Sequence, residues 1–210
     1  MASISPCKNW KRYEKYLMSG QWHVHTNYVD GANSVDEYCK RAVKLRIPLI
    51  AFTEHVRKKL TYRYHDLVEE ILTARENYPE LIILTGCEAR VLEGGSLDVS
   101  ADILRECEIV LMAFHSFPAD KEKYVEALKR ALSNPRVDIW AHPGLFLRNA
   151  GLKLREEEVG AILEIASQEN VLIELNAKYG LPSKDWVEIG ERKGVKFVLG
   201  SDAHGVEELK

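Results

Sequence analysis

The sequence predicts an α/β chain built on parallel strands, arranged either as a barrel or as a doubly wound sheet. Three observations predict it. Seven short apolar runs recur along the 210 residues. Segments of helical spacing separate them. Each run ends in polar, chemically useful side chains.

The elements follow in order. Trp10, Tyr13 and Leu17 fall at i, i+3 and i+7, so residues 10–18 read as an amphipathic helix, stopped by Gly20, that covers the bottom or side of the domain. The first strand spans 21–26. Ser34 with Glu37 three residues on forms a capping box, opening a helix to about residue 45 or 46. Residues 47–53 are continuously apolar, a strand buried on both faces that ends at Glu54 and His55. A helix follows over 64–77, halted by Pro79, and then a strand over 81–88. Glu93-Gly94-Gly95-Ser96 is a turn. A short helix over 100–106 precedes a strand over 109–115, and a helix over 120–132 precedes a strand over 137–142. After a loop containing Pro143-Gly144 come a helix over 155–169 and a strand over 171–176. Ser183 is the expected cap of a helix to about residue 193, and the seventh strand covers 195–200. No helix is expected after it, so the N-terminal helix is the candidate to fill that place.

Composition narrows the function classes. Hydrophobic residues make up 46% and charged residues 29%, and the formal charge of −3 gives no global basic footprint for long nucleic acid. Cys7, Cys39, Cys87 and Cys107 form no C-x-x-C pair and read as small buried hydrophobes in a reduced, intracellular setting. Charges interrupt the first twenty residues too often for a signal peptide, and no stretch is apolar enough to span a membrane. A cytoplasmic location is expected.

The chemistry lies at the strand ends. His23 and His25 are two residues apart on an extended segment and so share one face. Alone, such a pair is a weak signal. Of the seven histidines, however, six (His23, His25, His55, His115, His142 and His204) sit at strand ends. His65 reads as a plain helix residue. In a parallel barrel the C-terminal strand ends gather on one face. With Asp30, Glu88 and Asp202 the set offers too many N/O ligands for one tetrahedral zinc. It suits two or three divalent ions sharing a bridging carboxylate, with zinc, manganese and iron all compatible. Such ions supply hydroxide at neutral pH and neutralise phosphate oxygens, so an anionic substrate is expected.

These residues bring the chain to a known family. His23-Val24-His25-Thr26 with Asp30-Gly31, Thr53-Glu54-His55, Gly86-Cys87-Glu88, Phe114-His115-Ser116, Ala141-His142-Pro143-Gly144, Glu174-Leu175-Asn176 and Ser201-Asp202-Ala203-His204 stand in the order of the PHP (polymerase and histidinol phosphatase) superfamily, which the chain resembles. Ser96-Leu97-Asp98 and the 134–139 stretch are similar to the PHP domain of bacterial family X DNA polymerases, and to stand-alone PHP phosphatases. The resemblance implies a distorted (β/α)7 TIM-like barrel over residues 20–210, preceded by an N-terminal helical extension over 1–19. It further implies three metals: one on His23, His25, Glu88 and Asp202; a second on Glu88, His115 and His142; a third on Asp30, His55 and His204. Two positions depart from the family: Glu54 stands where Asp is common, and no Thr-Gly-Arg follows His142-Pro143.

The expected activity is phosphate-ester hydrolysis, with Asp202 and His204 placed to move protons and Glu88 as the shared carboxylate. Arg57, Lys58, Arg90 and Arg148 are candidate phosphate contacts; a solvated loop run is the plainer reading of the first two. Lys178 is a further candidate, and Tyr28 and Phe146 are candidates to stack on a substrate ring. Glu54 and Glu174 are expected to orient ligand imidazoles. Substrates would be small phosphomonoesters such as histidinol phosphate or nucleotides, or alternatively a nucleic-acid 3′ end. A metal-stabilised binding module without turnover is the alternative from another class. An amidohydrolase barrel also opens with His-x-His, but no lysine sits at a strand end to bridge its metals.

Overall fold

The computed structural model describes residues 8–209. Seven strands run in sequence order, all parallel: β1 (Gln21–Val24), β2 (Leu49–Val56), β3 (Ile82–Arg90), β4 (Ile109–Ala113), β5 (Ile139–Trp140), β6 (Leu172–Asn176) and β7 (Phe197–Gly200). Around them lie α1 (Val35–Leu45), α2 (Tyr64–Asn77), α3 (Ala101–Glu106), α4 (Lys121–Leu132), α5 (Leu145–Ala150), α6 (Glu156–Gln168) and α7 (Lys184–Arg192). The sheet closes on itself through a short parallel bridge between Val24 and Ala203. There His25 N–H donates to Ala203 O at 2.9 Å and Ala203 N–H to His23 O at 3.2 Å. The architecture is the expected distorted, nearly closed barrel.

Strand alternation divides the core in two. Ile50, Phe52, Ile83, Cys87, Val110, Met112, Trp140 and Ile173 face the helices. Leu49, Ala51, Leu84, Ile109, Leu111, Ile139, Leu172 and Val198 fill the barrel from below. The interior is thus apolar at the bottom, and polar side chains begin only toward the C-terminal strand ends. That gradient places the site.

The local signals account for several boundaries. Ser34 accepts from Glu37 N–H while Glu37 accepts from Ser34 N–H, the expected capping box. Ser100 and Asp120 cap α3 and α4. Five expectations need correction. Ser183 precedes α7 but makes no capping bond. The expected loop after Pro143-Gly144 contains α5, which starts from a left-handed Gly144. β5 has only two residues, and β2 continues through Glu54 and His55 to Val56.

The fifth correction is at the N-terminus, where Asn9–Tyr16 is a 3-10 helix broken at Tyr13 rather than an amphipathic α-helix. Tertiary bonds hold it. Trp10 Nε1–H donates to Asn170 O, Trp22 Nε1–H to Tyr16 O (both 3.0 Å) and Leu199 N–H to Leu17 O at 2.9 Å. The buried Trp10 and Leu17 close the floor of the barrel. Irregular geometry lets both side chains reach that floor, and their burial offsets the lost helical ladder.

Candidate metal centre

Glu88 is the hub. On β3 it points into the barrel, where it is fully buried. Its Oε1 lies 2.8 Å from His142 Nε2 and 3.3 Å from His115 Nε2. Its Oε2 lies 2.8 Å from His55 Nδ1, 3.6 Å from His23 Nε2 and 3.7 Å from His25 Nε2. Asp202 Oδ1 stands 3.5 Å from His25 Nε2 and 3.8 Å from His23 Nε2. Asp30 Oδ2 is 3.5 Å from both His55 Nε2 and His204 Nε2. All nine candidate ligands therefore form one connected cluster. His65 stands apart, exposed on α2 and bonded to Glu106.

Topology explains most of the convergence. His55, Glu88 and His115 continue the inward face of their strands, above the apolar layers, and His23 and His25 join them after an irregularity in β1 between Gln21 and Val24. His142 needs more than alternation, whereas Asp202 keeps the inward parity of Val198 and Gly200. Both take left-handed backbone, with φ of 30° and 50°. By alternation His142 would follow Trp140 outward; the left-handed turn aims its imidazole at Glu88 instead. Such backbone is uncommon outside glycine, and strain of this kind concentrates at functional sites.

The donors fit cations. His23 Nε2 and His25 Nε2 lie 3.0 Å apart, both fully buried. Glu88 Oε2 and His55 Nδ1 are buried and lack a properly directed hydrogen bond among the described residues, although only 2.8 Å separates them. A carboxylate and five imidazoles crowding one point, with Glu88 Oε2, His55 Nδ1 and His25 Nδ1 left without a hydrogen bond among the described residues, are poorly satisfied as a protein-only network. Three groups bring one atom from each residue within 4.8 Å: His23, His25 and Glu88; His55, Glu88 and His115; and His25, Asp30, His55 and His204. This differs in part from the division the resemblance implies. His25 also approaches the third group, and His55, rather than His142, joins the compact set with His115.

The field is strongly anionic. Burial alone would lower the His23 pKa, but the carboxylates of Glu174, Asp202 and Glu88 overcome it and raise the pKa well above the usual range. For His25 burial prevails and the pKa falls to about 4. Burial opposes ionisation of Glu88, yet His115 and His23 hold its carboxyl well below the usual range. A site that stabilises carboxylates and attracts protons onto imidazoles attracts dications equally.

A second layer fixes the ligands. Glu174 Oε1 accepts from His23 Nδ1 at 2.7 Å, leaving Nε2 free to ligate. Its Oε2 accepts from His142 N–H and from Asn176 Nδ2 at 3.0 Å. Glu54 Oε1 accepts from Thr26 N–H, and its Oε2 lies 4.0 Å from His25 Nδ1. Burial lifts the Glu54 carboxyl to about 7. Sequence reasoning passed over Gly200. A Cβ there would stand 1.8 Å from Glu174 Oε1, so β7 needs glycine to make room for that carboxylate.

The candidate substrate contacts fall into two places. Arg57 and Arg90 stand two residues beyond His55 and Glu88, one strand step above the ligands, with Lys58 exposed beside them. Arg148, on α5, donates to Tyr179 O at 3.1 Å, and its guanidinium lies 5.7 Å from the Tyr179 ring. Lys178 Nζ is 3.0 Å from His204 Nδ1 and 3.2 Å from Asp202 O. Tyr179, which sequence reasoning missed, stands edge-on to His142 at 6.1 Å. Phe146 stacks on Tyr124 at 5.4 Å in the outer core and is no platform for substrate. Tyr28 packs beside Tyr62, whose hydroxyl donates to His55 O at 3.1 Å.

Comparison with known proteins agrees with this geometry. The family model described as PHP domain matches residues 21–178. The chain is 32% identical over 204 residues to DNA polymerase/3'-5' exonuclease PolX of Bacillus subtilis, covering 91% of this chain but only 35% of the polymerase. It is also 32% identical over 200 residues to a protein of Acetivibrio thermocellus named "Probable phosphatase", covering 87% of this chain and 78% of that one. Among solved structures, a histidinol phosphate phosphatase of Lactococcus lactis, complexed with zinc, L-histidinol and phosphate, superposes with a TM-score of 0.67 at 15% identity, over 90% of this chain and 87% of that one.

Proposed function

The chain belongs to the PHP domain family, and we propose that it is a metal-dependent phosphoesterase acting on small phosphomonoesters. One observation carries the reading: six imidazoles and three carboxylates from six strand ends meet around one buried glutamate. His23, His25, Glu88 and Asp202 would hold one ion, Glu88, His115 and His142 a second, and Asp30, His55 and His204 a third. Zinc, manganese and iron all suit these donors, and zinc is present in the Lactococcus lactis structure. When bound, such ions supply a nucleophile at neutral pH and neutralise phosphoryl oxygens.

The chain's own residues do the rest. Glu174 holds His23 in the tautomer that presents Nε2. Arg57 and Arg90 would receive the phosphoryl oxygens that point away from the ligand layer. On the opposite wall, Arg148 and Lys178 flank Tyr179 where a leaving group would exit. Asp202 and His204 are the groups placed to accept or return a proton. The formal charge of −3 favours small substrates over a nucleic-acid strand. The likeness to a polymerase/exonuclease favours a nucleic-acid 3′ end as the second reading. A metal-stabilised binding module would not require the complete ligand set found here. No helix among the described residues is long and apolar enough to cross a membrane; we place the protein in the cytoplasm.

The test has two parts. Elemental analysis of protein purified without chelator should give more than one equivalent of metal. A value near zero after expression with metal supplied would overturn the multinuclear reading. A panel of phosphomonoesters, phosphodiesters and a labelled single strand should show turnover of the monoesters above the others. Unchanged phosphatase activity in His115→Ala would refute the second ion's place.

A further inference from the structure

Above the ligand layer, β3 does not simply end. Its chain turns back through residues 91–97: Val91 bridges Leu97, Leu92 N–H donates to Ser96 O at 2.9 Å, and Asp98 N–H returns to Arg90 O at 2.8 Å. This hairpin sets Asp98 beside Arg90. Asp98 is 8% exposed, and both of its oxygens are engaged. Oδ2 meets Arg90 Nη2 at 2.6 Å, and Oδ1 accepts from Lys58 N–H at 3.2 Å. Arg90 Nη1 reaches across to Ser116 Oγ at 3.1 Å, next to His115. Its Nε is buried with no partner among the described residues. Arg57, on the loop that Asp98 grips through Lys58, directly follows Val56, which pairs with Ala89, so it leaves β2 beside Arg90, with its Nη1 donating to Val56 O at 2.6 Å.

Arg90 pairs with Asp98, and Arg57 makes no ion pair among the described residues, so the two half-buried guanidiniums carry more positive charge than Asp98 alone balances. A further anion would be drawn to it, and the one expected there is a phosphoryl group. We propose that Asp98 is a positioning residue: it ties Arg90 to the Arg57–Lys58 loop so that the two arginines form one jaw for phosphoryl oxygens above His55, Glu88 and His115. The inference rests on the phosphoesterase reading given above.

The experiment uses the metal-loaded full chain, with inorganic phosphate as the probe and an aryl phosphate as substrate. Asp98→Asn should keep the parent's metal content, bind phosphate about tenfold more weakly and raise KM by the same factor, with kcat changed less than about threefold. Arg90→Lys keeps the charge but cannot hold Asp98 and Ser116 together, so it should weaken phosphate at least as much. Because Asp98 acts through Arg90, the double variant Asp98→Asn/Arg90→Ala should bind phosphate within about threefold of Arg90→Ala alone. Unchanged phosphate affinity in Asp98→Asn, full additivity in the double variant, or loss of metal from Asp98→Asn would each overturn the proposal. If Asp98→Asn fails to fold, Arg90→Lys decides, since parent-like affinity there would show that charge alone suffices. If the parent itself, loaded with metal, binds no phosphate, the phosphoesterase reading fails; if it binds phosphate and Arg90→Ala binds it equally well, only the jaw fails.

Discussion

Glu174 on β6 reaches across the barrel to His23 on β1, its Oε1 2.7 Å from the imidazole Nδ1, while its other oxygen takes the backbone N–H of His142. One buried carboxylate thus orients a ligand on the first strand and braces the turn that carries a ligand of the fifth. Replacing such an orienting partner typically costs about 10–100-fold in metal affinity. Glu174→Ala should show a loss of that size in competition with a chromogenic chelator. Parent-like affinity would mean that packing, not Glu174, sets the His23 ring.

Gly200 makes that contact possible. The Cβ introduced by Gly200→Ala would meet the Glu174 carboxylate head-on, whereas the same change at Gly151 meets nothing within 4 Å. Gly200→Ala should reproduce the metal-affinity loss of Glu174→Ala. Gly151→Ala should cost stability alone, because its φ of 67° disfavours a side chain. If both variants held metal equally well, the carboxylate would have found another seat.

Metal removal should destabilise the fold. Without cations, the buried Glu88 and Asp202 and the more exposed Asp30 leave an anionic cluster facing six imidazoles. A ligand at 100 times its Kd adds about 2.7 kcal/mol, which for a chain of this size is about 5–10 °C in Tm. Differential scanning calorimetry with and without chelator measures it. Coincident transitions would indicate that the site holds no ion tightly.

A pH effect is expected far from the metals. Asp138 lies under β5, bonded to Val110 N–H at 3.0 Å, and burial lifts its carboxyl from 3.8 to about 6. Its folded-state pKa exceeds the unfolded one, so the folded chain binds the proton more tightly. The stability this adds is fully present below about pH 4 and is lost as pH rises through about 6. Asp138→Asn removes the dependence. Relative to the parent, it should gain about 2–3 kcal/mol in stability on going from pH 4 to pH 7. Urea titrations of both proteins at the two pH values test this, and a constant difference would contradict it.

The sequence alone determined the parallel α/β pattern, nearly every element and the set of polar residues at strand ends. Those signals are local: apolar runs, caps and the two-residue strand period need no knowledge of the rest of the chain. The candidate ligand set was legible because a parallel barrel carries all strand ends to one face, whatever the loops do. What escaped depended on distance in three dimensions. The 3-10 geometry at Asn9–Tyr16 answers to the barrel floor, not to its own spacing. The left-handed turn at His142 re-aims a side chain that alternation alone would misplace. Gly200 matters only because Glu174, on the neighbouring strand, occupies the volume a side chain would need. Asp98 gains its part only when a hairpin folds it back beside Arg90. Tertiary structure decided these points because each is a contact between strands or loops remote in sequence, and close packing leaves one arrangement in which all of them fit.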